Sequence, residues 1–190
     1  MVQLVVFAAS AGGIQALITV LESLPRSFPV PIAIVQHIAP KHDNLIAEIL
    51  ARRTALIVKC ASAAENLVAG TVYVAPRGHH MLIADGVIVR LTESAPVHFV
   101  RPSADPLFES AAAACGGGVV AVVLSGTGSD GTNGAAAVKR MGGTVIAQDE
   151  QSSHFFGMPH AAIAAGVVDY VLPLGSIAGK LIDLTGATRS

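Results

Sequence analysis

Short, nearly uninterrupted apolar runs recur along the chain, separated by longer stretches in which apolar residues return every three or four positions. The runs are Val2 to Phe7, Ile32 to Val35, Leu56 to Lys59, Thr71 to Val74, Val119 to Leu124, Thr144 to Ala147 and Tyr170 to Leu172. They are rich in β-branched residues and have the length of strands covered on both faces. Between them, Ala-rich segments near Ile14 to Leu24, Asp43 to Arg53, Ala104 to Cys115, Gly134 to Met141, Met158 to Ala165 and Ser176 to Leu184 read as helices. Ser103 is the predicted N-cap of the third, and Gly142 and Gly166 are predicted helix stops. This alternation predicts an α/β fold: a doubly wound, mainly parallel sheet with helices on both faces. One antiparallel exception stands out. His80 to Ala84 and Val87 to Leu91 flank Asp85-Gly86, which predicts a hairpin with a two-residue type I′ turn at the sheet edge. No repeat or Pro/Ser linker divides the sequence, so residues 1–190 are expected to form a single domain.

Composition narrows the class. With 52% hydrophobic and 13% charged residues in 190 positions, the chain has ample material for a core, and disorder is excluded. No window of about 18 apolar residues is free of Gly, Pro or polar interruptions, so membrane insertion is not expected. A formal charge of -1 with scattered Lys and Arg gives no global reason to bind nucleic acid. Cys60 and Cys115 lie in apolar runs rather than in a disulfide framework, and the chain opens on a strand with no secretion signal. A cytoplasmic protein is the expectation.

The chemistry starts at Ser10. It follows the first strand in Phe7-Ala8-Ala9-Ser10-Ala11-Gly12-Gly13, at the carboxyl strand end where open α/β sheets bind ligands, and Gly12 and Gly13 let the backbone turn and a substrate approach. A serine nucleophile needs a base and a carboxylate to orient it. His37 ends the second strand in Ile34-Val35-Gln36-His37, and Asp130 lies in the glycine-rich turn Leu124-Ser125-Gly126-Thr127-Gly128-Ser129-Asp130-Gly131. In a parallel sheet all three strand ends share one edge. Each residue also has a bland role open to it: Ser10 as a helix cap, His37 bonded to a backbone carbonyl, Asp130 as cap of the helix that follows. Together those roles require three separate coincidences at one edge.

Gly126 to Gly131 also satisfies G-x-G-x-x-G, with Asp149 at the end of the next strand, so a dinucleotide-binding protein is the competing class. Against it, Asp130 would set a negative charge beside the pyrophosphate, where the helix N-terminus should attract an anion. His79-His80 has no flanking Cys, Asp or Glu and its two side chains should point to opposite faces, so no metal is expected. Arg101 is the best candidate for binding a substrate carboxylate, with a structural ion pair as the alternative. Asp149 and Glu150 are expected to satisfy loop amides.

These blocks resemble the catalytic domain of the chemotaxis protein-glutamate methylesterases over nearly the whole chain. The matching segments are Ala9-Ser10-Ala11-Gly12-Gly13, Ile34-Val35-Gln36-His37, Gly70-Thr71-Val72-Tyr73-Val74-Ala75-Pro76, Arg101-Pro102-Ser103-Ala104-Asp105, Leu124 to Gly131 and Ala147-Gln148-Asp149-Glu150 followed by Gly157-Met158-Pro159. The resemblance implies a Ser10, His37, Asp130 triad and no cofactor. It also implies hydrolysis of glutamyl γ-methyl esters on the cytoplasmic helices of methylated chemoreceptors, with deamidation of certain glutamines as a related activity. Ala11 N–H is then the expected oxyanion donor, with Thr127 N–H as the second candidate. Three positions depart from the family pattern: Ala8 replaces a usual Gly, Thr127 a usual Met, and Ile14 a common Pro. None is a triad residue, so they bear on substrate preference rather than reaction class. Family members typically carry an amino-terminal receiver domain, whereas here Met1 leads directly into the first strand. That leaves a stand-alone esterase, constitutive or regulated by a receiver protein in trans, and a piece of a longer protein as open alternatives. A catalytically silent signalling scaffold is the third functional class.

Overall fold

The computed structural model describes residues 1–37 and 45–188. In chain order its elements are β1 (Leu4–Ala9), α1 (Gly13–Leu21), β2 (Ile32–Gln36), α2 (Ile46–Ala51), β3 (Ile57–Cys60), β4 (Thr71–Val74), β5 (His80–Ala84), β6 (Ile88–Thr92), α3 (Ala104–Cys115), β7 (Val119–Val123), α4 (Thr132–Arg140), β8 (Thr144–Gln148), α5 (Gly157–Ala164), β9 (Tyr170–Leu172) and α6 (Leu174–Thr185). Seven strands form one parallel sheet in the order β3-β4-β2-β1-β7-β8-β9. This is the expected doubly wound α/β fold.

The strand pattern explains the layers. Along β1, Val5, Phe7 and Ala9 join α1, α2 and α6 in one core, while Leu4, Val6 and Ala8 join α3, α4, α5 and the hairpin in the other. Both faces of the central strands are therefore buried, as their unbroken apolar runs require. The edge strands differ from that expectation: Ile57 on β3 and Tyr170 and Val171 on β9 are exposed. An apolar run alone does not distinguish a central strand from an edge.

Several local expectations need correction. β5 and β6 form their own two-stranded sheet instead of extending the edge of the main one, and pairing of Ala84 with Ile88 leaves a three-residue loop, Asp85-Gly86-Val87. Gly86 and Val87 both take positive φ there, which a count of turn residues does not reveal. The hairpin is tied to α3 by Ile83 N–H donating to Ser110 Oγ at 3.0 Å. Ser103 occupies the N-cap position of α3, but its hydroxyl caps nothing. It is used elsewhere, as described below. The expected helix from Asp43 to Arg53 is seen as Ile46–Ala51, and Asp43 lies outside the described residues. Gly142 and Gly166 follow the ends of α4 and α5 in the left-handed region, as stop residues should.

β1 is the point where the winding reverses. From its carboxyl end the chain enters α1 on one face, whereas from the neighbouring end of β7 it enters α4 on the opposite face. The two connections diverge and leave a crevice between them, which is where ligands bind in open α/β sheets.

Candidate active site

The register of the sheet sets the site. Ala9 pairs with Gln36, and His37 N–H donates to Ala9 O at 3.0 Å, so Ser10 and His37 leave adjacent strands side by side. On the other flank Leu124 N–H donates to Ala8 O at 2.9 Å and Ser10 N–H to Ser125 O at 3.0 Å. Ser10 is thereby fixed between the ends of β2 and β7. Its hydroxyl does not cap α1, whose N-cap is Gly12 with no side-chain bond.

The turn after Ser10 tolerates nothing larger than glycine. Gly12 has φ of 74°, and a Cβ there would lie 2.7 Å from His154 Cβ and 2.9 Å from Ser125 Oγ. A Cβ on Gly13 would lie 2.4 Å from Gln36 Oε1. Both glycines are needed on steric grounds.

His37 Nε2 and Asp130 Oδ2 are 2.6 Å apart. With Nε2 turned to the carboxylate, Nδ1 is the ring nitrogen left to exchange a proton in the crevice. No hydrogen bond joins Ser10 Oγ to His37 among the described residues; such contacts often tighten only when substrate binds. Asp130 does not cap the helix that follows it: Gly131 occupies the N-cap of α4, and among the described residues none of the hydrogen bonds of Asp130 goes to that helix. It caps α3 instead. Ala104 N–H donates to Oδ2 at 2.7 Å, Asp105 N–H to Oδ1 at 3.1 Å, and Ser103 Oγ–H to Oδ1 at 2.6 Å. Burial alone would raise the Asp130 pKa, but the hydrogen bonds from His37, Ser103 and Ala104 N–H outweigh it and hold the carboxyl below its ordinary value. The carboxylate stays charged while buried, at a helix N-terminus that favours an anion.

Apart from Thr71, every buried polar side chain among the described residues belongs to this network: Gln36, His80, Ser103, Asp105, Ser125, Asp130 and Gln148. Gln36 Nε2 donates to Ser10 O at 2.8 Å and His37 O at 2.9 Å, clamping the two residues together. Ser125 Oγ donates to Ala11 O at 2.8 Å and accepts from Phe155 N–H at 3.0 Å, while Gln148 Oε1 takes Ser125 N–H at 2.9 Å. His80 accepts Ser103 N–H at Nδ1, so its Nε2 carries the proton that goes to Ala95 O. These supporting residues were missed as site residues by the sequence reading. Their one legible signal is a polar side chain at the end of an apolar run, as in Gln36 and Gln148.

Ser10, Ala11, Gly12, His37, Thr127 and Asp130 line one cavity of about 740 Å³. Gly13 lies beneath them, buried against Gln36. Among the described residues neither Ala11 N–H nor Thr127 N–H has a backbone acceptor. Arg101 lies outside this cavity, on the wall of an adjoining one that also includes His37. Its Nη1 donates to Glu93 O and Ser94 O at 2.7 and 2.9 Å, with no carboxylate partner among the described residues. The alternative reading of Arg101, a structural ion pair, is not seen among the described residues, and bonds to loop carbonyls stand in its place. Beside the triad, His98 Nε2 lies 2.8 Å from Asp105 Oδ2, and His98, Asp105 and Asp130 bring ligand-type atoms within 4.8 Å of one another. Both carboxylates are already occupied by N–H and O–H donors. His79 turns to Glu93 while His80 is buried against Ser103, so the two diverge as expected.

The dinucleotide alternative finds no support. Asp149 Oδ1 accepts Ser152 N–H and Oγ–H, as expected of a loop-satisfying carboxylate rather than a ribose ligand. Gly126 exchanges backbone bonds with Phe155 and Met158, and a Cβ on Gly157 would lie 3.0 Å from Gly126 O. Gly126 is therefore enclosed by its own protein, while Thr127 to Asp130 line the cavity with Ser10.

Fold and site together define a doubly wound α/β domain with Ser, His and Asp gathered at its switch point. A family model described as CheB methylesterase matches residues 5–181. The chain belongs to the CheB methylesterase family. It is 45% identical to the protein-glutamate methylesterase/protein-glutamine glutaminase 2 of Anaeromyxobacter dehalogenans over 97% of this chain and 54% of that protein. A relative in Leptospira interrogans is 39% identical, covering 95% of this chain and 93% of its own. The Thermotoga maritima CheB methylesterase catalytic domain superposes with a TM-score of 0.93 at 40% identity, covering 97% of this chain and 99% of that one. The chain spans about half the length of the Anaeromyxobacter relative and of the similar Carboxydothermus hydrogenoformans protein.

Proposed function

We propose that this chain is a protein-glutamate methylesterase catalytic unit, hydrolysing glutamyl γ-methyl esters on the cytoplasmic helices of chemoreceptors and deamidating glutamine by the same acyl route. The carrying observation is the 2.6 Å His37–Asp130 bond set beside Ser10 on adjacent strand ends. Ser10 Oγ attacks the side-chain carbonyl as His37 Nδ1 takes its proton. The imidazolium, stabilised by the ionised Asp130, protonates departing methanol or ammonia, and water activated by the same ring then releases free glutamate. The amides of Ala11 and Thr127 receive the oxyanion. Both residues line the cavity with Ser10, and each such donor lowers a barrier by roughly 3 to 4 kcal/mol. Arg101 contributes its charge to a substrate carboxylate from the adjoining wall. No helix among the described residues is long and apolar enough to cross a membrane, which is compatible with a cytoplasmic enzyme that reaches receptors from solution. A receiver protein in trans is a further proposed partner.

The test is methanol release from methylated receptor membranes, with wild type and Ser10→Ala compared at equal folded protein. Ser10→Ala is expected to remove about 10⁶ of the rate. Turnover near wild type in that variant sinks the serine assignment.

A further inference from the structure

The segment between β6 and α3 makes a tight turn at the rim of the crevice. Val97 and Val100 exchange two backbone hydrogen bonds at 3.1 and 3.0 Å, so His98 and Phe99 form a two-residue loop with φ of 51° and 63°. Such loops normally carry Asn and Gly, and a bulky residue in the left-handed region is an outlier maintained against its own preference. His98 has an internal reason for its place, since its ring is bonded to the buried Asp105. Phe99 has none. Its side chain is fully exposed and contributes nothing to either core.

The turn also divides the surface beside Ser10. On one side lies the cavity of the triad, and on the other a second cavity of about 310 Å³, bordered by Phe99, Pro96 and Val100 with Arg77 and Arg101. His37 and Val100 line both. The second cavity thus shares a wall with the reactive one, and its lining combines apolar Phe99, Pro96 and Val100 with cationic Arg77 and Arg101.

We propose that Phe99 and this cavity are the subsite for the polypeptide flanking the reactive glutamyl residue. Its occupant is an amphipathic helical segment of the substrate, with one apolar side chain against Phe99 and acidic neighbours toward the arginines. The proposal rests on the serine-esterase reading and adds where the rest of the substrate lies. A residue held in a costly conformation only to face solvent is explained when a partner covers it, and aromatic anchors are the residues that most often carry such contacts.

The experiment uses the whole chain with Phe99→Ala and Phe99→Leu. Methanol release is measured against concentration of a methylated receptor cytoplasmic fragment, alongside the rate at which a small fluorophosphonate labels Ser10. Phe99→Ala should raise KM about tenfold, with kcat and the labelling rate within about twofold of wild type, and Phe99→Leu should recover most of the loss. Because position 99 is exposed and strained, neither variant should lower the unfolding midpoint. An unchanged KM, or a fall in labelling parallel to the loss on receptor, overturns the subsite. Methanol release or labelling that survives in Ser10→Ala instead overturns the underlying serine reading, whatever the Phe99 variants do.

Discussion

Two imidazole–carboxylate pairs face the same crevice, His37 with Asp130 at 2.6 Å and His98 with Asp105 at 2.8 Å. The two carboxylates are arranged reciprocally: Asp130, from the loop before α4, caps α3, and Asp105, from the first turn of α3, caps α4 through Gly134 N–H at 2.7 Å. The chemistry of the pairs is nearly the same. Their mountings are not. His37 is 13% exposed, follows a fully buried strand and is pinned by Ala9 O and the Gln36 amide beside Ser10. His98 is 38% exposed and rides on a two-residue loop at positive φ. Under the proposed serine-esterase reading, the difference teaches that the same His–Asp chemistry serves a reaction only where the fold fixes it beside a nucleophile.

The sharpest way to break this comparison is to neutralise each carboxylate in turn. Asp130→Asn should lower kcat for methanol release by about 10⁴, through loss of the correct His37 tautomer and of the charge opposing the imidazolium. Asp105→Asn should stay within about tenfold of wild type, since it touches neither Ser10 nor His37. Equal losses in both variants would mean that the second pair takes part in the reaction.

Much of this arrangement was legible in the chain. Strand runs such as Thr71 to Val74 and the helix Ala104–Cys115 emerge at their observed bounds, because burial on both faces and a 3.6-residue period leave strong local traces. The three triad candidates followed from strand ends alone. What stayed hidden depends on contacts distant in sequence. The bland alternative for Asp130 was a cap on its own helix, whereas it caps one that begins 26 residues earlier, and Ser103, expected as a cap, instead donates to Asp130. His98 carried no signal, since its partner Asp105 is defined only once α3 docks on the sheet. The exposure of Ile57 and Tyr170 was likewise unreadable, because whether a run sits at an edge is decided by strand order.

A second prediction concerns stability rather than turnover. Asp105→Ala leaves Gly134 N–H without its acceptor in a buried setting and releases His98, so it should cost about 1 to 2 kcal/mol in urea unfolding. Phe99→Gly should act oppositely and raise the midpoint, by relieving the positive φ at the tip of the same loop. A neutral Asp105→Ala would show that the α3–α4 junction does not depend on the reciprocal caps.

The smallest expected effect, and the one that isolates Asp130, is its pH dependence. In the folded chain the carboxyl is held below its ordinary value, whereas in the unfolded chain it titrates near pH 3.9. A depressed folded pKa means that the unfolded state binds the proton more readily, so the stabilisation is complete above about pH 4 and declines as pH falls through the folded value. Unfolding midpoints of wild type and Asp130→Asn, measured from pH 7 downward, should therefore differ by a constant amount until about pH 4 and then converge. Comparing the two proteins at each pH removes the contribution of every other carboxyl. A gap that is already closed well above pH 4 would show that the stabilisation does not come from the depressed titration of this capped, buried carboxylate.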